Sequence, residues 1–137
     1  MEENNPIIDY MGTQICMGTQ IWYRNGQCHR DNDQPAIIQS NGMQQWYQNG
    51  KRHRNNDLPA IIYNDLSQRW YQNDKLHRDN DLPAVIKLNE TQVWCQNGLY
   101  HRDNNLPAVI KSNGKMEWYK NGTKQEEGEI DAGNIKG

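Results

Sequence analysis

The apolar positions of this chain fall into two kinds of short cluster that alternate along its length. One is an aromatic pair set among amides, as in Gln-Gln-Trp-Tyr-Gln (44–48). The other is a branched run that begins near a proline, as in Leu-Pro-Ala-Ile-Ile-Tyr (58–63). Neither shows apolar residues at i, i+3 and i+4, and Asn, Gly and Pro interrupt every stretch long enough for a helix. Both clusters therefore predict short strands, and no helix is expected. Proline at the start of the second strand fits, because its missing N–H need not enter a ladder.

The polar connections are also of two kinds. Short ones at Asn41-Gly42, Asn64-Asp65, Asn89-Glu90 and Asn113-Gly114 suit tight hairpins, since Asn and Gly accept the positive φ of primed turns. Glu90 fits such a turn poorly and predicts a longer loop in that copy. The other connection, Gly-Lys-Arg-His-Arg-Asn-Asn-Asp (50–57), predicts a wide loop. A two-residue turn at Asn41-Gly42 sets Trp46 opposite Ile37, whereas a three-residue loop sets it beside Ala36 and Ile38. Either register leaves both faces half apolar, and a slip of one residue exchanges the faces.

These clusters recur with one period. Trp22, Trp46, Trp70, Trp94 and Trp118 are 24 residues apart. The pairs His29-Arg30, His53-Arg54, His77-Arg78 and His101-Arg102 keep the same step, as do Pro35, Pro59, Pro83 and Pro107, each followed by Ala. Strict recurrence of this kind marks a stacked-repeat protein whose units bury apolar surface only against their neighbours. Tandem repeats are expected over 22–124. Residues 1–21 predict a degenerate half-repeat and cap, in which the duplication MGTQIC/MGTQI displaces Pro6-Ile7-Ile8 from the period. Residues 125–137 predict a second cap and a tail.

Composition changes the picture in one respect. Only 34% of residues are apolar, Phe is absent, and the mean hydropathy is −1.14. An irregular chain this polar would be disordered, yet the regular Trp, Tyr, Ile and Val positions point to order. A thin sheet with little interior reconciles the two. The net charge of −2 gives no overall field toward nucleic acid or anionic lipid. Cys16, Cys28 and Cys95 form no disulfide framework. Cys95 takes the place of Tyr23, Tyr47, Tyr71 and Tyr119, which predicts a packed free thiol and a reducing compartment. With neither a signal peptide nor a stretch of about 20 apolar residues, a soluble, intracellular protein without a transmembrane segment is expected.

The run Trp46, Asn49, Gly50, Lys51, His53 resembles the MORN repeat, with Arg54 where that repeat usually has Gly and a Leu-Pro-Ala-Ile segment in place of Gly-x-Gly-aromatic. That combination is similar to the MORN variant repeat of large DNA virus and phage proteins, and the likeness covers roughly residues 22–124. The resemblance implies an all-β fold, an elongated single-layer antiparallel sheet of tandem 24-residue β-hairpin repeats. It also implies a viral or phage source, hence the virion or the host cytoplasm or nucleus, and it carries no catalytic residues.

The chemistry-bearing residues are themselves repeated. A metal ladder of His29, His53, His77 and His101 fails on distance. Equivalent residues lie two strands apart, about 9–10 Å, whereas zinc ligands must converge to about 2 Å from the ion. A structural role for each His, hydrogen-bonding backbone in the wide loop, is expected instead. Arg30, Arg54, Arg78 and Arg102 could form a basic rail for phosphates or carboxylates, but Asp33, Asp57 and Asp81 predict Arg–Asp pairs within each repeat. The Trp and Tyr rows predict stacked aromatic ladders that hold the sheet together. No catalytic set, metal or cofactor is expected. Two functions follow. The first is a non-enzymatic scaffold or protein-interaction module that self-associates, with a homodimer as the simplest form. The second is an electrostatic binder of phospholipid head groups or nucleic acid through the His-Arg rail. About ten strands would give a ribbon nearly 50 Å long with two open edges.

Overall fold

In each unit the aromatic cluster is extended but interrupted at its tryptophan. The inner half, Gln44–Gln45, pairs antiparallel with Ile37–Ile38 on one side and Ile61–Ile62 on the other. The outer half, Tyr47–Gln48, folds back on Lys51–Arg52 in a tip hairpin. Asn49 (φ 50°) and Gly50 (φ 82°) occupy its two turn positions, the conformation that a primed turn demands. The structure, a computed structural model, describes residues 7–8, 13–16 and 18–126, with side chains from residue 18 onward.

The wide loop expected at 50–57 is therefore replaced by two compact turns. After the tip hairpin, His53 N–H donates to Trp46 O at 3.2 Å. The chain then reverses again at 55–58, where Leu58 N–H meets Asn55 O at 3.4 Å across Asn56 (φ 63°) and Asp57 (φ 55°). Asn and Asp recur there because they tolerate left-handed backbone better than other side chains. Ladder pairing resumes at Ile61–Ile62, two residues beyond Pro59, so the second strand is shorter than the 58–63 expected.

The remaining connection is a three-residue loop. Gln39 N–H donates to Met43 O at 2.9 Å, and Ile37 stands opposite Gln45. This is the register of the three-residue loop, but Trp46 itself leaves the ladder: its N–H donates to Ala60 O at 2.8 Å and it clusters with Ala60, Ile61 and Tyr71. The loop is set by an Asx turn in every copy: the Oδ1 of Asn41, Asp65, Asn89 and Asn113 accepts the N–H two residues on. In Asp65 that backbone hydrogen bond draws the carboxyl below its ordinary pKa. The Glu90 copy is no longer than the others, which corrects the expectation for it; Lys87 N–H still meets Thr91 O at 2.9 Å.

Glu90 (φ 70°) and Leu66 (φ 72°) take the left-handed position that Gly42 (φ 93°) and Gly114 (φ 86°) hold in the other copies. A side chain there costs about 1–2 kcal/mol, offset in part by the lower entropy of the unfolded chain. Leu66 is 73% exposed, so little packing compensates. Leu66→Gly and Glu90→Gly are each expected to stabilise the protein by about 0.5–1 kcal/mol. A rise in urea midpoint at unchanged m-value would show it, and a fall for Leu66→Gly would sink it.

Among the described residues the strand pairs add up to a 12-stranded antiparallel sheet. Eleven strands follow in sequence along the ribbon, against the about ten expected, and the tip strand Gln27–Cys28 lies off that path. The duplicated segment accounts for part of the excess. Thr13–Cys16 lies directly against Thr19–Arg24, and Ile7–Ile8 adds to the far side of Thr13–Cys16. Pairing of the two copies thus wedges an additional strand between the first complete unit and the segment before it. Of the two predicted caps, only these strands and residues 125–126 lie within the described part.

The core runs along the ribbon as a thin seam. Ala36, Ala60, Ala84 and Ala108 are fully buried beside the tryptophans, with Ile61, Val85, Val93 and Val109 next to them. Trp70, Val85, Val93, Cys95 and Val109 form one cluster, with Trp46, Ala60, Ile61 and Tyr71 forming another. Cys95 is 0% exposed and carries a free thiol. Burial pushes that thiol up to about 11, so it stays protonated at neutral pH. Among the described residues no helix is long and apolar enough to cross a membrane.

Candidate functional site

The repeated polar residues do not converge on a pocket. They meet at the joints between units, and the joint between the second and third units shows the arrangement. The turn at 53–57 supplies acceptors, and the next aromatic strand and tip supply donors. Trp70 Nε1–H donates to Asp57 O at 3.0 Å. Gln72 Nε2–H donates to Arg54 O at 3.0 Å. Asn73 N–H donates to His53 Nδ1 at 3.2 Å, and the tip amide of Asp74 donates to Arg52 O at 2.8 Å.

Arg78 closes the joint. Its Nε and Nη2 hold both carboxylate oxygens of Asp57 at 2.9 and 3.2 Å, and its Nη1 donates to Pro83 O at 3.1 Å. Its guanidinium carbon lies 3.8 Å from the centroid of the Trp70 ring. Arg54 repeats this on Asp33, Pro59 and Trp46, and Arg102 on Asp81, Pro107 and Trp94. The Arg–Asp pairs therefore join neighbouring units instead of bracing one repeat. Trp22, Trp46, Trp70 and Trp94 are likewise capped by guanidinium groups rather than by one another. The one close aromatic pair among the described residues is Tyr100–Tyr119, edge to face at 5.2 Å.

The histidines are placed by the same logic. Nδ1 of His29, His53, His77 and His101 accepts the N–H of Asn49, Asn73, Asn97 and Asn121 in the following tip. Nε2 then carries the proton and donates to Oδ1 of Asp31, Asn55, Asp79 or Asp103 at 2.7–2.8 Å. Each His thus contacts backbone, but in the neighbouring unit. An acceptor Nδ1 fixes the tautomer. Long-range ¹H–¹⁵N correlation spectra at neutral pH are expected to show all four rings as the Nε2–H tautomer. An Nδ1–H ring at any of the four would contradict the joint geometry.

The expected basic rail is thus largely occupied. Arg54, Arg78 and Arg102 have side chains only 13–14% exposed, with their forks filled by carboxylates. Arg30 differs: it stacks over Trp22 at 3.7 Å and donates to Pro35 O at 3.0 Å, yet no carboxylate meets its fork among the described residues. Desolvation lowers its pKa from the ordinary guanidinium value. No cluster of three or more His, Cys, Asp or Glu capable of holding a metal ion occurs among the described residues. The surface hollows are shallow, and one of about 190 Å³ lies between the turns at 79–81 and 101–104.

The 24-residue spacing showed that these residues belong together. What it concealed was the partner of each, because a donor and its acceptor sit in different copies, 13, 18, 20 or 21 residues apart. Fold and joints together define a tandem-hairpin β-repeat protein. Compared with protein-family models, curated proteins and solved structures, the chain has no significant match.

Proposed function

We propose that the chain is a non-enzymatic repeat scaffold of the MORN-variant kind, an interaction ribbon that associates with copies of itself. The observation that carries this reading is the use of the repeated polar residues. The four histidines, Arg54, Arg78 and Arg102 with their Asp partners, the indoles from Trp46 onward, and Gln48, Gln72 and Gln96 are consumed at the joints. What remains open to a partner is therefore sheet face, loop tips and the two ends. Ile38, Ile62, Ile86 and Ile110 alternate with Gln20, Gln44, Gln68, Gln92 and Met116 in one cross-strand row. The four isoleucines are only half-buried. Leu66, Leu88, Leu99, Tyr100 and Met116 are exposed as well. A second copy would cover apolar surface that a lone ribbon leaves wet.

Binding of phospholipid head groups or nucleic acid through the His-Arg rail is the weaker reading, because three of its four guanidinium groups already hold carboxylates. The MORN-variant likeness extends the proposal to a virus- or phage-encoded structural or host-interaction protein, acting in the virion or in the host cytoplasm or nucleus. Light scattering across a wide concentration range tests the core of it. A mass that rises above 16.1 kDa with concentration is expected, and a strict monomer throughout would remove the self-association.

A further inference from the structure

Each internal unit offers its donors to the acceptors of the unit before it, but among the described residues no such acceptors precede the first complete unit. Trp22 Nε1–H, Asn25 N–H and Gly26 N–H stand where Trp70, Asn73 and Asp74 make their joint contacts. Among the described residues they find no acceptor. Arg30 is fixed as its counterparts are, stacked on Trp22 and tied to Pro35 O, with Nε and Nη2 facing no carboxylate. Thr13–Cys16 occupies the edge of Thr19–Arg24 where a preceding branched strand would lie, and no carboxylate among the described residues reaches Arg30 from that side.

The other end shows the converse. Lys124 O lies in the register of the Cys28, Arg52, Leu76 and Tyr100 carbonyls, each of which accepts the next tip amide, and no donor reaches it among the described residues. Beyond it the His-Arg pair is replaced by Gln125-Glu126, and the chain continues Glu-Gly-Glu-Ile-Asp-Ala-Gly (127–133). Glu129 falls 24 residues after Asn105, in the register of Asp33, Asp57 and Asp81.

We infer that Trp22, Arg30 and the tip amides of Asn25 and Gly26 form a carboxylate-binding site, and that its occupant is the acidic C-terminal segment of a second copy, with Glu129 in register. The same fork geometry already binds a carboxylate at Arg54, Arg78 and Arg102. Bidentate guanidinium–carboxylate pairing is directional, so it selects this ligand over a point charge. The inference rests on the self-association reading and gives it a polarity, head to tail. Such heterologous contacts form open chains unless the rotation closes a ring. Ile7–Ile8 and Thr13–Cys16 already extend the sheet at this end, so the junction is confined to the outer row. The contact is therefore weak, and screening by salt weakens it further.

The test is a concentration series of the ¹⁵N-labelled full chain, which has five indole N–H signals, followed in parallel by sedimentation. The Trp22 indole signal is expected to shift as mass rises, with the other four staying nearly still. Arg30→Ala should abolish both changes. Glu129→Gln, which leaves every contact described above in place, should do the same if the fold of Arg30→Ala comes into question. Mixing Arg30→Glu with Glu129→Arg should restore them. Self-association that survives both single changes overturns this site but leaves the scaffold reading standing, whereas a monomer at every concentration overturns both. A Trp22 signal that responds to Arg30→Ala but not to concentration would show a carboxylate of the same chain in the site and would overturn the second-copy occupant.

Discussion

Trp70→Ala is expected to destabilise the protein by about 3–5 kcal/mol, the usual range for emptying a buried indole site. Trp70 is 4% exposed, packs on Ala84 and Val85, donates to Asp57 O and carries Arg78 on its face. The loss would be a large part of a typical total stability of about 5–15 kcal/mol. Its position matters too, since in a linear array a broken central joint uncouples the units on either side. Trp118→Ala should cost markedly less. That ring is half-buried and keeps its bond to Asn105 O, but Glu126 stands where the stacked Arg would be. Trp70→Phe should cost about 1–2 kcal/mol or more, because it leaves Asp57 O without its donor. Urea denaturation followed by far-UV circular dichroism measures all three. Equal losses at Trp70 and Trp118 would contradict the account of the joint.

Arg78→Ala is the second large effect, about 2–4 kcal/mol. A hydrogen bond to a charged group contributes about 1.5–3 kcal/mol, and a cation–π contact at a partly exposed site about 0.5–1 kcal/mol. Asp57 is 48% exposed, so solvent screens much of the Coulombic attraction. The guanidinium side is the better shielded, and the stack on Trp70 together with the bond to Pro83 O remains when the Asp charge is removed. Asp57→Asn should accordingly cost less than Arg78→Ala. Arg78→Lys is expected to recover little, because an ammonium cannot grip two carboxylate oxygens and a carbonyl while lying flat on an indole. A lysine variant as stable as the parent in the same titration would show that charge alone holds the joint.

Part of this was legible in the chain. Short apolar clusters separated by Asn, Gly and Pro indicated strands and turns without helices, and the 24-residue step indicated tandem units. Turn chemistry was harder to assign. Asn-Gly occurs both at 41–42 and at 49–50, and only the ladder shows the second as the two-residue hairpin and the first as part of a three-residue loop. Leu66 and Glu90 hid the equivalence of the loops, since neither residue advertises a left-handed backbone. The Asp57–Arg78 pair was obscured by a closer candidate, because a local pairing of Arg54 with Asp57 looks just as good in one dimension. Arg54 instead turns back to Asp33. Arg30 looked like the other three arginines, and only the contacts show that no carboxylate among the described residues meets its fork.

The tip amides that tie one unit to the next also bear on how the molecule ages. Asn-Gly bonds deamidate when the glycine nitrogen attacks the asparagine side-chain carbonyl, expelling ammonia and closing a succinimide that water then opens. The chain has Asn-Gly at 25, 41, 49, 97, 113 and 121. The N–H of Gly50, Gly98 and Gly122 is tied to Cys28, Leu76 and Tyr100 carbonyls, and that of Gly42 and Gly114 to Gln39 and Lys111 carbonyls. Gly26 alone of the six has no acceptor among the described residues. Peptide mapping after storage in mildly alkaline buffer is expected to find isoaspartate first at Asn25, so the repeat lattice acts as a chemical preservative for every copy but the outermost.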